Sequence, residues 1–491
     1  MDVILIQPRL YLGKEASRRE MYHTLPLGLL SIAAPLDKAG YQVRIIDQRL
    51  DDNWEQHLIE ALKSGPVCAG ITVMTGPQIS WAIRASEVIK NNSDVPVVWG
   101  GVHPTILPEQ TIAHPLVDII VRGEGEETFY ELVASLAARR SISGIRGITY
   151  RNGTQTVHNE ARPFINMDNQ PLPSYHLVDV NRYLTSINGH LCLPIETSRG
   201  CSFKCAFCYN NSFHHNKWRA YSSERVLDHI DYVVKNFGVK GICFRDDNFF
   251  SGPDRAKSIL EGLIKRHPEL VWGKGDIRLD MLDRLDDRYF RMIEKSNCIN
   301  LIIGIESGSQ RIADLIRKEI DVSRAPEINR RLARFKMALY YLFLTGIPGE
   351  TLEDLTATTH LMLKLTGDNP RAANGTQIFI PYPGTELYQK ALENGLQPPQ
   401  KLEEWIPMGW INRNFDYPWI TPRQKKLIRA LSFCSIFIGG ARTLRTWSEL
   451  SPVLSIIADL YSPVARFRLK GGYYSHLPEL KAAQVLGYRG Y

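Results

Sequence analysis

Cysteine is scarce in this chain: eight residues in 491, and only Cys201, Cys205 and Cys208 lie close together. A disulfide-built secreted framework is excluded, because such folds need dense, pairable cysteines. Long apolar runs are missing too. The longest candidates, Met337 to Ile347 and Leu431 to Ala441, are too short to span a bilayer, which takes about 18 apolar residues. Charge of one sign is weak: 59 basic against 52 acidic residues leave +7, too little to announce a nucleic-acid partner. No internal repeat or low-complexity tract occurs, so a repeat array is excluded. Met1 and Asp2 run straight into strand-like sequence with no basic leader, and a cytoplasmic location is expected.

A 44% apolar and 23% charged composition fits a well-packed protein, and the length predicts two or three domains. Residues 391–491 hold 13 basic against 7 acidic residues, a net +6, so the rest is nearly neutral. That basic end could face acidic substrate groups or a lipid surface. It could equally be the solvated side of a small helical domain.

Residues 1–150 alternate β-rich runs, at Val3 to Gln7, Gln42 to Asp47, Ala69 to Met74, Pro96 to Trp99 and Asp118 to Arg122, with helical stretches. This pattern predicts a doubly wound parallel sheet, which binds ligands beyond its carboxyl strand ends. Glycine-bearing loops sit at three of those ends: Thr72 to Gly76, Gly100-Gly101-Val-His103-Pro104-Thr105, and Arg122-Gly123-Glu124-Gly125-Glu126. Glycine permits close backbone approach, so a cleft-side cofactor is expected. Residues 151–190, with Pro171 and Pro173, read as a connector. A second series over 191–390 has six strand–helix units, predicting a partial barrel with its chemistry at the strand ends. Residues 391–491 predict a smaller, mainly helical domain, with helices near Pro422 to Phe437 and Leu454 to Tyr461.

The cysteines follow the first barrel strand at spacing C-x3-C-x2-C. One loop can turn three thiolates toward a common point, enough for three irons of a 4Fe–4S cubane with the fourth left open. Zinc normally wants a fourth protein ligand, for which His214 and His215 are the candidates. Lys204 and Asn210 argue against a segment of merely buried cysteines.

The segment Glu196-Thr-Ser-Arg-Gly-Cys201-Ser-Phe-Lys-Cys205-Ala-Phe-Cys208-Tyr-Asn210 resembles the signature of the radical S-adenosylmethionine superfamily. The resemblance implies that Cys201, Cys205 and Cys208 hold the cluster while its unique iron chelates the methionine end of S-adenosylmethionine. One-electron cleavage then yields a 5′-deoxyadenosyl radical. Gly304-Ile-Glu306-Ser307-Gly308 resembles the family's cosubstrate-contacting segment and implicates Glu306, Ser307 and Gly308; a strand-to-helix turn capped by Ser307 is the plainer reading. Phe244-Arg-Asp246-Asp247-Asn248-Phe249 follows the second strand, and one of Asp246 and Asp247 is expected to line the cleft. Arg278, between Asp276 and Asp280, could grip a cosubstrate carboxylate bidentately or simply pair with its acidic neighbours.

The first domain resembles the cobalamin-binding domain of the B12-dependent branch through Pro26-Leu27-Gly28 and the loops containing Gly100, Gly101, His103, Gly123 and Gly125. It departs from the pattern that carries a histidine for cobalt, having Asp47-Gln48-Arg49-Leu50-Asp51 instead. The resemblance then implies cobalamin without a protein nitrogen on cobalt, with Met74, Thr75 and Gln78 near the lower face and His103 as a corrin or tail contact. A degenerate domain without cobalamin is the alternative.

The expected activity is methylation of an unactivated carbon in a small-molecule or lipid-like substrate, fed by a flavodoxin- or ferredoxin-type reductant. The alternatives are radical cyclisation, rearrangement or carbon–carbon coupling in a tetrapyrrole or lipid pathway, and a non-enzymatic cluster- or cobalamin-based sensor. RNA methylthiolation is disfavoured, since Cys68 alone stands in the first domain. Leu431 to Ile438, with Arg442, Arg445, Arg466 and Arg468, could form an apolar entrance with a basic rim, or pack as a helical cap; the basic end could also touch a membrane peripherally.

Overall fold

Short β-branched runs build two facing sheets. The computed structural model describes residues 2–11, 24–187, 189–409, 416–441, 452–474 and 477–485. Among them, strands form two seven-stranded sheets and a two-stranded ribbon. The first sheet comprises β1 (Val3–Gln7), β2 (Val43–Asp47), β3 (Cys68–Thr72), β4 (Val97–Gly100), β5 (Ile119–Val121), β6 (Ile148–Asn152) and β7 (Gln155–His158), ordered β2-β1-β3-β4-β5-β6-β7. β1 to β5 are parallel. Every residue of β1 is buried, because Leu29, Leu36, Phe129 and Leu132 cover one face of the sheet while Trp54, Leu58, Ile79 and Ala82 cover the other.

β6 and β7 continue that sheet as an antiparallel hairpin; β6 straddles the expected boundary at residue 150, and β7 lies in the stretch read from sequence as the connector. β7 is mostly exposed and therefore carries no apolar alternation. Its signal is the Asn152-Gly153 turn, with Gly153 at φ +62°, a pair that favours tight hairpins.

The second sheet comprises β8 (Thr185–Ile187), β9 (His190–Ile195), β12 (Gly241–Phe244), β13 (Val271–Arg278), β14 (Cys298–Glu306), β15 (Ala338–Thr345) and β16 (Ala372–Ile378); β10 (Ser198–Arg199) and β11 (Arg219–Ala220) form the ribbon. The order β16-β15-β14-β13-β12-β9-β8 has six parallel strands and an antiparallel edge strand, β8. It is an open, partial barrel. β16 begins earlier than the expected Thr376 to Ile380, since Ala372-Ala-Asn-Gly375 carries little strand signal; the missing Cβ at Gly375 makes room for the Tyr340 hydroxyl.

The carboxyl-terminal helices Pro422–Cys434 and Pro452–Gly471 bury Leu427, Leu431, Phe433 and Leu469 in the barrel's own core. The Leu431 to Ile438 stretch is thus a packed cap, not an apolar entrance. Arg466 donates to the Ile438 carbonyl at 2.7 Å and Arg468 pairs with Glu479; Arg442 and Arg445 lie outside the described residues. The second helix extends well past Tyr461, passing through Pro463. Tyr388, Leu402 and Trp405 cross to the core of the first sheet and form a strap between the halves. Its fit is close: a Cβ on Gly76 would lie 2.7 Å from the Gly409 Cα.

Gly308→Ala would set a Cβ 2.5 Å from the Ala357 carbonyl oxygen and the Thr358 Cα, backbone that cannot easily yield. Chemical unfolding should show a loss of about 1–3 kcal/mol. At Gly28, where an added Cβ meets nothing within 4 Å, the helical Gly→Ala change should leave stability unchanged or raise it slightly.

Candidate active site

The carboxyl ends of the two sheets meet across a cavity of about 320 Å³. The first-sheet wall carries Gly28, Gly70, Thr72, Gly100, Gly101, Gly123 and Gly125, and the barrel wall carries Glu196, Arg199, Tyr209, His214, Arg245 and Asp247. At Gly28 and Gly123 an added Cβ would meet nothing within 4 Å. Bare backbone therefore faces open space, which fits a large cofactor laid along the strand ends. Of the residues expected to bind cofactors, the cavity gathers Gly100, Gly101, Gly123, Gly125 and Asp247.

Arg199 fastens the walls together. Its guanidinium reaches Glu124 at 3.2 Å, Glu126 at 2.7 Å and Glu196 at 2.8 Å. Arg219 adds a 2.5 Å bond to Glu124, stacks over Phe164 at 3.9 Å and donates to the His214 Nδ1 at 2.8 Å. Burial opposes charge on Arg199, but Glu126, Glu196 and Glu124 outweigh it and lift its pKa. Burial likewise works against the Glu124 carboxylate, yet Arg199 and Arg219 hold it below the ordinary range. Glu124 and Glu126 therefore hold Arg199 just before the cysteine loop, Arg122 donates to the Ile148 and Asn159 carbonyls, and the loop's glycines face the cavity.

His103, Thr75, Gln78 and Met74 lie elsewhere. His103 is fully buried, edge-on to Trp405 at 5.9 Å, with Nδ1 3.0 Å from the Thr75 hydroxyl. Burial pulls its pKa down to about 3, so it is neutral. The Gln78 side chain accepts the Met74 N–H at 2.9 Å, and Met74 is 43% exposed. The loop thus holds the strap, and Thr72 is its cavity-facing residue. Asp47, in the segment lacking the cobalt-histidine pattern, pairs with Arg49 at 2.6 Å and accepts from Tyr183 at 3.0 Å.

Near the cysteines, Asp246 and Asp247 divide their work. Asp246 is buried and accepts from the Thr197 N–H at 2.7 Å and the Ser198 hydroxyl at 2.6 Å, tying β12 to the end of β9. Asp247 lines the cavity and accepts the Gly200 N–H at 2.8 Å, next to Cys201. Arg278 makes the plainer salt bridge, to Asp280 at 2.9 Å. It also donates to the Cys205 sulfur at 3.4 Å and lies over Phe203 at 3.7 Å. Glu306 follows a register shift in β14 at φ +68° and pairs with Lys318 at 2.8 Å; Gly304 leaves room for that pair. Ser307 and Gly308 serve packing: the Ser307 hydroxyl accepts the Ser309 N–H at 3.1 Å, and the Gly308 N–H donates to Thr358 at 2.9 Å.

Burial pushes the Cys208 thiol up to about 12, with Asp247, Cys205 and Cys201 adding to the rise, and burial also raises Cys201. Adjacent thiolates need a cation between them, the condition an iron cluster meets. Among the described residues, no three His, Cys, Asp or Glu side chains converge on a single metal ion. A cubane spreads its cysteine ligands over separate irons, so the three-thiol donor set suits a cluster better than one zinc; His214 is occupied by Arg219.

Three charged groups missing from the sequence-based reading, or placed only loosely by it, stand in the barrel lumen. Trp272 and Ile277 of β13 face the outer core, and the irregularity at Lys274 (φ +59°) turns Lys274 and Asp276 inward beside Arg245, which lines the cavity. Burial pushes Asp276 up to about 8, only partly countered by Arg245, and lowers Lys274. Lumen direction on an irregular strand is not visible from periodicity.

Residues 21–133 match the family model described as the B12 binding domain, and residues 195–362 match that of the radical SAM superfamily. An uncharacterised methyltransferase of Pyrococcus horikoshii is 32% identical over 375 residues, covering 76% of this chain and 79% of that protein. The anaerobic magnesium-protoporphyrin IX monomethyl ester cyclase of Rubrivivax gelatinosus is 28% identical, over 74% of this chain and 66% of that one. Among solved structures, the cobalamin-dependent S-adenosylmethionine radical enzyme OxsB with aqua-cobalamin bound has TM-score 0.70 at 18% identity, covering 99% of this chain and 74% of its own.

Arg199→Met should cost about 3–5 kcal/mol in chemical unfolding, because it leaves buried carboxylates uncompensated; adding Glu126→Gln should recover part of the loss. A carboxyl raised in the folded state stabilises fully below its ordinary pKa, and that contribution is lost as pH rises through the folded value. Asp276→Asn should therefore flatten the fall in stability between 3.8 and about 8, read as thermal midpoints across that pH window.

Proposed function

The chain belongs to the radical S-adenosylmethionine family whose members carry a B12-binding domain ahead of the barrel, and from that premise we propose that it methylates an unactivated carbon of a small or lipid-like molecule. Its cofactors are a 4Fe–4S cluster, S-adenosylmethionine and cobalamin. The observation that carries the reading is the shared cavity, with glycine backbone on one wall and Asp247, Tyr209 and Glu196 beside the cysteine loop on the other.

Cys201, Cys205 and Cys208 would hold the cluster, and the backbone at Gly28, Gly100, Gly101, Gly123 and Gly125 would face the corrinoid. When bound, these groups supply one-electron cleavage of the sulfonium and a carrier for the methyl group. The chain's own part is to position and to exclude water. Arg278 donates to the Cys205 sulfur, and Lys318 stands close enough for Cys205 to favour its charge, so both would position the cysteine loop. Glu306 neutralises Lys318 and offers a carboxylate to polar cosubstrate hydrogens. Asp247 fixes the backbone at Gly200, and the Arg199 cluster holds the walls at a set separation. Arg245, Lys274 and Asp276 give the lumen a polar floor against which a substrate's polar end would sit. A flavodoxin- or ferredoxin-type protein would deliver the electron.

Ring formation is a second reading, supported by the likeness to the magnesium-protoporphyrin cyclase. The two differ in their by-products. Anaerobic, reconstituted protein given S-adenosylmethionine and dithionite should release 5′-deoxyadenosine, and Cys201→Ala, Cys205→Ala or Cys208→Ala should reduce that to background. S-adenosylhomocysteine formed alongside it marks methyl transfer; 5′-deoxyadenosine alone, with candidate substrates present, marks the ring-forming reading. No 5′-deoxyadenosine from wild type with a verified cluster would overturn both.

A further inference from the structure

The helix Pro452–Gly471 is inverted relative to an ordinary surface helix. Its inward side carries the small residues Ser455, Ala458 and Ala465, with Leu469, packed on the helices Leu352–Asp368 and Pro422–Cys434. Its outward side carries Val453, Ile456, Ile457, Leu460, Val464 and Phe467, with Leu460 73% and Phe467 64% exposed. Their spacing of three and four residues places them in one stripe along the helix. Single exposed apolar side chains are common, but a continuous row marks a contact surface.

The charge of the carboxyl-terminal segment bears on what covers the stripe. Residues 391–491 carry a net +6, and several acidic groups there are turned to internal partners. Asp459 accepts the Ala441 N–H at 2.8 Å, Glu479 accepts from Tyr461 at 2.7 Å and pairs with Arg468, and Asp416 pairs with Lys425. Lys470 at the carboxyl end of the helix is exposed, as are Arg423 and Lys426. A second copy would bring a like-charged segment against this one. An anionic lipid surface complements both the apolar row and the positive charge.

We propose that this face of the helix Pro452–Gly471 docks on an anionic bilayer, with the helix lying in the plane of the interface. It does not cross: no described helix is long and apolar enough to do so. The proposal is independent of the reaction assigned to the cavity.

The test is co-sedimentation of the full chain with phosphatidylcholine vesicles, with and without phosphatidylglycerol. The chain should pellet with the anionic vesicles, less so as salt is raised, and far less with phosphatidylcholine alone. The double variant Leu460→Glu/Phe467→Glu, changed only at exposed positions, should lose most of that binding while keeping its thermal midpoint and its yield of 5′-deoxyadenosine. Lys470→Glu should weaken the preference for phosphatidylglycerol. Vesicle binding unchanged in the double variant would overturn the proposal. So would a wild-type chain that ignores vesicles, whether it sediments as a monomer or as a dimer that the double variant dissolves; the dimer would assign the face to a second copy.

Discussion

A buried cation held by three carboxylates sets the geometry on which the other features depend. Arg199 lies between Glu124 and Glu126 of the first domain and Glu196 of its own strand end. Taking such groups out of water is costly and is repaid only when the partners are well placed. The two sheets therefore cannot slide or part without leaving charge buried and unpaired. Because Arg199 stands two residues before Cys201, the same fastening locates the cysteine loop relative to the glycine-bearing strand ends. A reaction that uses two cofactors in one cavity requires that fixed separation.

The barrel side repeats the logic with the opposite sign. Arg278 donates to the Cys205 sulfur, Lys318 lies over the Phe207 ring within reach of Cys205, and each has a carboxylate at its back, Asp280 and Glu306. The pairing keeps net charge low while leaving positive potential on the sulfur side. Glu306 can occupy its place only because β14 shifts register and takes a left-handed turn there, with glycine at 304 giving the space. The motif read as a cosubstrate contact is thus also a steric device.

The fold was legible where apolar period and turn chemistry agreed: the parallel strands of both sheets, the helices over the first, and the open barrel. It was hidden where the signal was polar. The β6–β7 hairpin has an exposed outer strand and announces itself only through Asn152-Gly153. In the site, the strand-end glycines do line the cavity, a placement that follows from strand position. Side-chain roles depended on long-range partners. Asp246 and Asp247 both tie down the segment after β9, yet only Asp247 lines the cavity, and the roles of Glu124, Glu126 and Arg199 emerge only when residues more than seventy apart meet. His103 is the clearest case. Its neighbours Gly100 and Gly101 face the cavity, but Trp405, from far along the chain, claims the imidazole for a second core.

That strap changes what the carboxyl-terminal fifth does. Tyr388, Leu402 and Trp405 enter the core of the first sheet, the Trp405 indole donates to Gln110 at 2.5 Å, and Gly409 meets Gly76 where no side chain would fit. The helices that follow pack on the barrel instead. The segment after β16 therefore touches first one half and then the other, and forms a second joint away from the cavity lining. Buried ionic groups at the cavity and apolar groups at the strap respond differently to temperature, so the separation of the sheets does not rest on a single kind of force. With both joints made, the helix Pro452–Gly471 needs only its small-residue side for packing. Its large apolar side chains are left to face outward, where they serve neither joint.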